Sequence, residues 1–170
     1  SVFSNSDTWH HVFATYDGRG GENARDGMKL YVDGQLHAGP FQTRADPGYS
    51  NMLNTTAPLT IASSYDVQQG GNQGNPGNRA FEGEIADIVI FNKELSALEV
   101  EEVYNNGAVK DMTTFSAYSS IVSWYRLGDA DHPGDDGIKD SVSGYHGKIV
   151  GTAKIINAKN LKSDYVLKTI

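Results

Sequence analysis

The hydrophobic pattern near the start of the chain predicts an antiparallel hairpin. In residues 9–16, W-H-H-V-F-A-T-Y, side chains alternate between the two faces of an extended chain, as in a β-strand. Residues 28–32 form a second predicted strand that runs into Asp33-Gly34, the dipeptide that best tolerates the two positive φ angles of a type I′ turn. Residues 35–38 are then expected to complete a meander.

Three further segments are predicted strands. Residues 59–63 form a short apolar run, and residues 121–127 alternate around Trp124. Residues 81–92 are the most strand-like run of the chain, with apolar side chains on both faces. This pattern predicts one continuous central strand that is buried on both sides.

One short helix is predicted after residue 95. Ser96 and Glu99 have the S-x-x-E spacing of a capping box, and Gly107 is a favourable residue for the end of a helix. A hydrophobic staple is expected between Leu95 and Val100. The buried stripe of the helix is predicted to consist of three residues: Leu98, Val103 and Tyr104.

Composition and charge narrow the functional classes. At 170 residues the chain fits one domain, and its 19 glycines suit short strands joined by turns. The net charge of −7 and the lack of a basic run argue against nucleic-acid binding. No apolar run approaches the ~20 residues of a membrane span, so membrane insertion is not expected. Without cysteine, disulfides and thiolate metal sites are excluded.

Five motifs in unbroken order suggest a family. They occupy residues 9–107 and read W-H-H-V-x-x-T-Y-D-G, K-L-Y-V-D-G, L-T-I-A, F-x-G-E-I-A-D-I-V-I-F-N and L-S-A-L-E-V-E-E-V-Y-N-N-G. The series resembles the laminin-G-like and pentraxin-like domains of the concanavalin A-like lectin/glucanase superfamily. The resemblance implies an all-β fold, an antiparallel jelly-roll β-sandwich with one short helix.

The C-terminal part carries a second signature, W-Y-R-L-G-D followed by D-S-V-S-G-Y-H-G. It resembles the opening strands of the same superfamily, although here it follows the helix. Either it closes the sandwich in permuted order or it begins a second repeat, and closure is favoured because about 60 residues are too few for another sandwich. We therefore expect one domain over residues 1–170, with core motifs at 9–107, a connector at 108–120, closing strands at 121–151 and a tail at 152–170. The chain does not begin with Met, and we interpret it as a fragment of a larger protein.

Catalysis is not expected from the carboxylates of the strand-like run. Jelly rolls of the resembled superfamily include β-glucanases with E-x-D-x-x-E on a strand, but Glu84 and Asp87 are spaced differently and Ile90 replaces the last carboxylate. Period two would also place Glu84 and Asp87 on opposite faces, whereas a retaining glycosidase needs two carboxyl groups roughly 5 Å apart. Glu82 does not restore the E-x-D-x-x-E spacing. We therefore predict that the chain is not an enzyme.

Calcium is the cofactor that the resemblance implies. In pentraxins a Glu-Gln-Asp cluster follows the strand that resembles L-T-I-A, and these positions fall on Ser64, Tyr65 and Asp66, so one aspartate matches. Two weaker calcium sites remain as alternatives. One would use Asp66 with Gln68 and Asn72, and the other would use Asp17 with Asp26. Zinc is not expected, because adjacent residues of a strand, such as the two histidines of W-H-H-V, point to opposite faces.

Carbohydrate binding is the function we expect from loop composition and resemblance together. Aromatic rings, planar amides and carboxylates are the side chains that recognise sugars. The candidate ligand-binding residues are Tyr49, Tyr65, Asp66, Gln68 and Asn72. The resemblance implies an extracellular or virion-surface protein whose partners are glycans or host or virion surface proteins, with homo-oligomers as a further possibility. The alternatives are a purely structural phage decoration, fibre or spike module and, less favoured, a glycoside hydrolase.

Overall fold

The structure, a computed structural model, describes residues 8–37, 48–51, 58–62, 81–127, 137–157 and 165–169. These residues form mostly short strands in antiparallel sheets, with one short α-helix, which confirms the predicted fold class. The strands are β1 (Val12–Tyr16), β2 (Met28–Val32), β3 (Gln35–Leu36), β4 (Gly83–Ile85), β5 (Ile88–Phe91), β6 (Ile121–Tyr125), β7 (Gly137–Ile138), β8 (Gly147–Lys148), β9 (Lys154–Asn157) and β10 (Tyr165–Thr169). The helix is α1 (Ala97–Tyr104).

The chain divides into two compact units. The first comprises Ser1–Asn54 and Asn92–Ser120, and the second comprises Thr55–Phe91 and Ile121–Ile170. The predicted arrangement of core motifs, connector, closing strands and tail within one sandwich stays a prediction. Within the described ranges, no helix combines the length and the apolar character needed to cross a membrane.

The first unit is built on the predicted meander. β2 pairs antiparallel with β1 and β3, and Tyr31 lies opposite Phe13 and Leu36. Asp33 and Gly34 have φ angles of 50° and 76°, which confirms the two positive φ angles expected at the turn. One face of the hairpin is buried at Thr15 and Tyr31. Three apolar side chains of the other face are exposed: Val12, Ala14 and Met28.

The histidines of the W-H-H-V motif hold this turn. Asp33 accepts hydrogen bonds from the backbone N–H of His11 (2.9 Å) and contacts His10 Nδ1 at 2.8 Å. The His11 ring lies 5.7 Å from the Tyr104 ring, and burial lowers the pKa of His11 although the Asp33 charge opposes this shift. A Cβ at Gly34 would lie 2.6 Å from Tyr104. These motif residues therefore join the hairpin to the helix.

Helix α1 starts as predicted and ends earlier than predicted. Ser96 Oγ accepts from the Glu99 N–H (3.3 Å), and Glu99 Oε2 accepts from the Ser96 N–H (2.8 Å), so the capping box is complete. The last helical residue is Tyr104, because Asn105 already adopts a left-handed conformation (φ 49°), and Gly107 has the positive φ that was expected there (78°).

The apolar side chains around the helix only partly follow the prediction. Leu95 and Val100 are buried, as a hydrophobic staple requires, and Val103 is buried as well. Leu98 is 78% exposed, so its place in the buried stripe was wrong. Residues 108–120 contain two 3-10 turns, and the core of the unit includes Met112 and Phe115 from this stretch.

The described residues of the second unit form three small antiparallel sheets, with β10 between β4 and β9, β5 paired with β6, and β7 paired with β8. Its buried centre consists of Tyr125, Leu127, Ile138 and Ile155. Ile88 and Ile90 of β5 pack against this centre. The second unit therefore buries side chains from both the family motifs and the C-terminal segment.

Two strand predictions of this unit were wrong. Residues 59–62 are not a strand in the structure. The run 81–92 is two strands, because Asp87 adopts a positive φ of 46° between β4 and β5. The carboxylate of Asp87 accepts a hydrogen bond from the Trp124 indole N–H (3.1 Å). A tertiary contact thus accompanies the break in a sequence whose local pattern is continuous.

A buried carboxylate organises the loop from Asp140 to Gly147, which we call the Asp140 loop. Asp140 is 3% exposed and accepts hydrogen bonds from the Trp124 N–H (3.0 Å) and the Val142 N–H (3.0 Å). It also accepts from Ser143 Oγ (2.6 Å) and the Tyr145 N–H (3.2 Å). Burial alone would raise the pKa of Asp140, but these hydrogen bonds outweigh it and hold the pKa well below its ordinary value.

Candidate ligand-binding site

The predicted ligand-binding residues fall into two groups. Four of them lie outside the described residues: Tyr65, Asp66, Gln68 and Asn72. Tyr49, Asp17 and Asp26 are described, and all three belong to the first unit. The geometry of the candidate site is therefore that of the β1–β2 connection and the segment around Tyr49.

Residues 17–27, which we call the Asp17 loop, connect β1 to β2 and begin with a turn. Asp17 Oδ1 accepts a hydrogen bond from the backbone N–H of Arg19 (3.0 Å), and Asp17 Oδ2 accepts one from Arg19 Nε–H (2.7 Å). The Arg19 guanidinium therefore holds the pKa of Asp17 below its ordinary value. At the end of the loop, Gly27 lies so close to the Asp17 carboxylate that a Cβ would overlap it. A side chain at position 27 would therefore displace the Asp17 carboxylate.

The segment 48–51 lies against the Asp17 loop. The Gly21 N–H donates to the Tyr49 carbonyl, and Gly20 lies so close to the Ser50 backbone that no side chain fits there. Gly20, which sequence alone indicates only as a loop residue, thus allows this close approach of two backbones, and Gly21 has a φ of 76°, which favours glycine.

The hydroxyls of Tyr16 and Tyr49 share a hydrogen bond beside the Asp17–Arg19 ion pair. The Tyr16 hydroxyl donates to the Arg19 carbonyl. Burial raises the pKa of Tyr16 to about 12, and so do a hydrogen bond shared with Tyr49 and the nearby Asp17 charge. Both tyrosines are half-buried, whereas Asp17 and Arg19 are exposed. We call these four residues the Tyr16–Tyr49 surface.

The Tyr16–Tyr49 surface has the groups that a sugar ring requires. Aromatic faces stack on apolar C–H faces, a carboxylate accepts hydrogen bonds from hydroxyls, and a guanidinium donates to them. Tyr16 and Arg19 were absent from the predicted site, whereas Asp17 was predicted as a calcium ligand and Tyr49 as a ligand-binding residue. No sequence spacing links residues 16–21 to 48–51, because the contact between them is tertiary.

Calcium stays a prediction. Asp17 pairs with Arg19, and Asp26 lies 3.6 Å from Arg25 Nε. In the part of the chain that the structure describes, no three or more His, Cys, Asp or Glu side chains gather as a metal site would require. The other predicted calcium site, which would use Asp66, lies outside the described residues.

The carboxylates considered for catalysis have separate surroundings. Glu82 is exposed, Glu84 lies on β4 opposite Lys168, and Asp87 hydrogen-bonds to Trp124. A retaining or inverting glycosidase would use two of them across one sugar. The expectation that the chain has no enzymatic activity stays a prediction.

A comparison with models of known protein families shows the superfamily to which the chain belongs. The family model described as the concanavalin A-like lectin/glucanases superfamily matches residues 3–101, more than half of the chain. The chain belongs to this superfamily. The laminin-G-like resemblance and the sandwich fold that it implies are thereby confirmed. The Tyr16–Tyr49 surface falls inside the superfamily match, whereas the Asp140 loop lies C-terminal to it.

Searches of curated proteins and of solved structures returned no match. The superfamily includes both lectins and glucanases by its description, so membership leaves the specific function to be argued from the site. The alternative of a structural phage module stays a prediction.

Proposed function

We propose that the chain is a non-catalytic carbohydrate-binding module that uses the Tyr16–Tyr49 surface. The observation that supports this proposal is the pairing of two tyrosines beside the Asp17–Arg19 ion pair at one end of the β1–β2 hairpin. A rigid antiparallel hairpin carries one tyrosine and the ends of the loop. Binding groups on loops that a scaffold positions are the common arrangement in proteins.

The charge balance favours neutral sugars as ligands. Arg19 and Asp17 compensate each other, and the whole chain carries a net charge of −7. An anionic glycan would be repelled by this overall charge. A neutral sugar can instead stack on a tyrosine ring and exchange hydrogen bonds with both members of the ion pair. The protein would serve as the adhesive module of a larger extracellular or virion-surface protein.

Substitution of Tyr49 tests this proposal. A glycan array probed with the wild-type chain and with Tyr49→Ala, each with calcium and with chelator, reports both the ligand and the metal requirement. Tyr118→Ala is the matched control, because Tyr118 is a 41% exposed tyrosine of the same unit outside the Tyr16–Tyr49 surface. We expect Tyr49→Ala to weaken binding to neutral glycans at least about tenfold, the scale of one lost aromatic contact.

Two outcomes would contradict the proposal. One is a blank array for the wild-type chain when circular dichroism shows it folded. The other is equal glycan binding by the wild-type chain and Tyr49→Ala, which would remove the Tyr16–Tyr49 surface as a binding site even if the chain binds sugars elsewhere.

A purely structural role is the second candidate, and the outward face of the β1–β2 hairpin favours it. Val12 is 53% exposed and Met28 is 41% exposed, and Ala14 between them is exposed as well. An apolar sheet face of this kind is typical of a subunit contact. Light scattering would detect an oligomer of the wild-type chain that Val12→Lys dissociates, whereas a monomer at every concentration would argue against this role.

A further inference from the structure

Tyr145 in the Asp140 loop combines an exposed ring with a fixed backbone. Tyr145 is 71% exposed. Its N–H donates to Asp140 Oδ2 (3.2 Å), and its carbonyl accepts the Tyr125 hydroxyl (2.8 Å). Both partners are buried, Asp140 at 3% and Tyr125 at 7% exposure. The backbone that carries the ring is therefore anchored from both sides by core residues.

The neighbouring His146 has a fixed tautomer. The backbone N–H of Asp140 donates to His146 Nδ1 at 3.1 Å. Because a backbone N–H can only donate, Nδ1 accepts and the proton of the neutral ring lies on Nε2. His146 is exposed, and it directly follows the exposed tyrosine in the chain.

The space beside Tyr145 is open. Gly144 adopts a φ of 78°, and a Cβ placed on it would meet nothing within 4 Å. A glycine before the tyrosine thus adds no side chain that could cover the ring. Ser143 points its hydroxyl inward, where it donates to Asp140 Oδ2 (2.6 Å). The loop uses its polar side chain for its own structure and leaves the aromatic ring uncovered.

We propose that the Asp140 loop is a second carbohydrate-binding site, in which Tyr145 stacks on the apolar face of a sugar ring and His146 Nε2–H donates to a sugar hydroxyl. The ligand class follows from this pair of groups, because a pyranose offers an apolar C–H face and hydroxyl acceptors close together. A rigid tyrosine also loses little conformational entropy on binding. The inference takes its ligand class from the proposed function, but it places the binding site on different residues.

Four proteins on one neutral-glycan array test the inference: wild type, Tyr49→Ala, Tyr145→Ala and the double variant. We expect each single variant to retain part of the signal and the double variant to lose it. Val150→Ala is the matched control, because Val150 is a 61% exposed residue of the same unit outside the loop. Tyr145→Trp should keep the binding, since it retains an aromatic face.

The outcomes separate the two sites. If Tyr145→Ala binds like the wild type while Tyr49→Ala loses all binding, the second site is overturned and the proposed function stands. If Tyr145→Ala alone loses all binding, the second site stands and the Tyr16–Tyr49 surface fails. A blank array for the folded wild-type chain overturns both. Unchanged urea midpoints for Tyr145→Ala and Tyr145→Trp would show that the differences do not come from misfolding.

Discussion

The Asp17 loop and the Asp140 loop begin with the same turn, but their aspartates lie at different depths. In each, an aspartate Oδ1 accepts the N–H two residues on, from Arg19 in one case and Val142 in the other, both at 3.0 Å. In each, a tyrosine hydroxyl donates to a loop carbonyl, Tyr16 to Arg19 and Tyr125 to Tyr145. The two loops therefore share the same local pattern of hydrogen bonds.

The remaining partners of the two aspartates differ. The other oxygen of Asp17 binds the exposed Arg19 side chain, whereas Asp140 is buried and binds two backbone N–H groups beyond its own turn. A solvent-exposed ion pair contributes little to folding, and a buried carboxylate that satisfies several donors is costly to remove. We therefore expect the burial of the aspartate, and not the turn itself, to decide which loop is the more rigid.

Removing the two carboxylates should give the largest difference between the loops. Asp140→Ala leaves the N–H groups of Trp124 and Tyr145 without their acceptor inside the protein, and we expect a loss of about 3 kcal/mol in the free energy of unfolding. Asp17→Ala should leave the urea midpoint nearly unchanged. Urea unfolding followed by tryptophan fluorescence measures both, and similar midpoints for the two variants would refute the assigned difference.

Only part of this organisation could be predicted from the sequence. The Asp33-Gly34 turn and the Ser96–Glu99 capping box were predicted correctly, because the chemistry of each lies within a few neighbouring residues. The break at Asp87 was missed, because it accompanies a contact with Trp124, 37 residues away. Local patterns do not report such contacts.

The candidate site shows the same limit. Tyr49 was predicted as a ligand residue from its type alone, and Asp17 only as a metal ligand. Their common surface arises from the hydrogen bond between Gly21 and the Tyr49 carbonyl. The resemblance pointed to the D-S-V-S-G-Y-H-G segment as a fold signature but not to the burial of Asp140, which depends on the β6 backbone at Trp124.

Acid should destabilise the protein through Asp140 more than through Asp17. The pKa of Asp140 is lower in the folded than in the unfolded state, so the charged carboxylate stabilises the fold fully above about pH 5. This contribution is lost as the pH falls through the folded pKa. Urea midpoints measured between about pH 6 and pH 2 should therefore fall less steeply for Asp140→Asn than for the wild type.

The control for this pH dependence is Asp17→Asn. Glu99, whose pKa the hydrogen bonds from Lys93 and Ser96 lower to about 2, also titrates in this range, so the wild-type curve alone is not diagnostic. The curve of Asp17→Asn should stay close to the wild-type curve, because the lowered pKa of Asp17 comes from a surface ion pair with Arg19 that solvent screens. Parallel curves for all three proteins would show that Asp140 does not contribute in the way its hydrogen bonds indicate.

Removing the two tyrosine hydroxyls should give the smallest difference. Tyr125→Phe leaves the Tyr145 carbonyl without its buried donor, and we expect a loss of about 1 kcal/mol in the free energy of unfolding. Tyr16→Phe should have no measurable effect, because water can replace the hydroxyl at the exposed Arg19 carbonyl. Chemical denaturation of both variants checks this, and a larger loss for Tyr16→Phe would reverse the proposed order of the loops.

Native-state hydrogen exchange tests the central claim, that a buried carboxylate fixes the Asp140 loop whereas exposed groups fix the Asp17 loop. The amide of Tyr145 donates to Asp140 and the amide of Arg19 donates to Asp17, so the two report the same kind of hydrogen bond at different depths. We predict that, after correction for intrinsic rates, the Tyr145 amide exchanges at least about 100-fold more slowly than the Arg19 amide. Equal protection of the two amides would contradict the account.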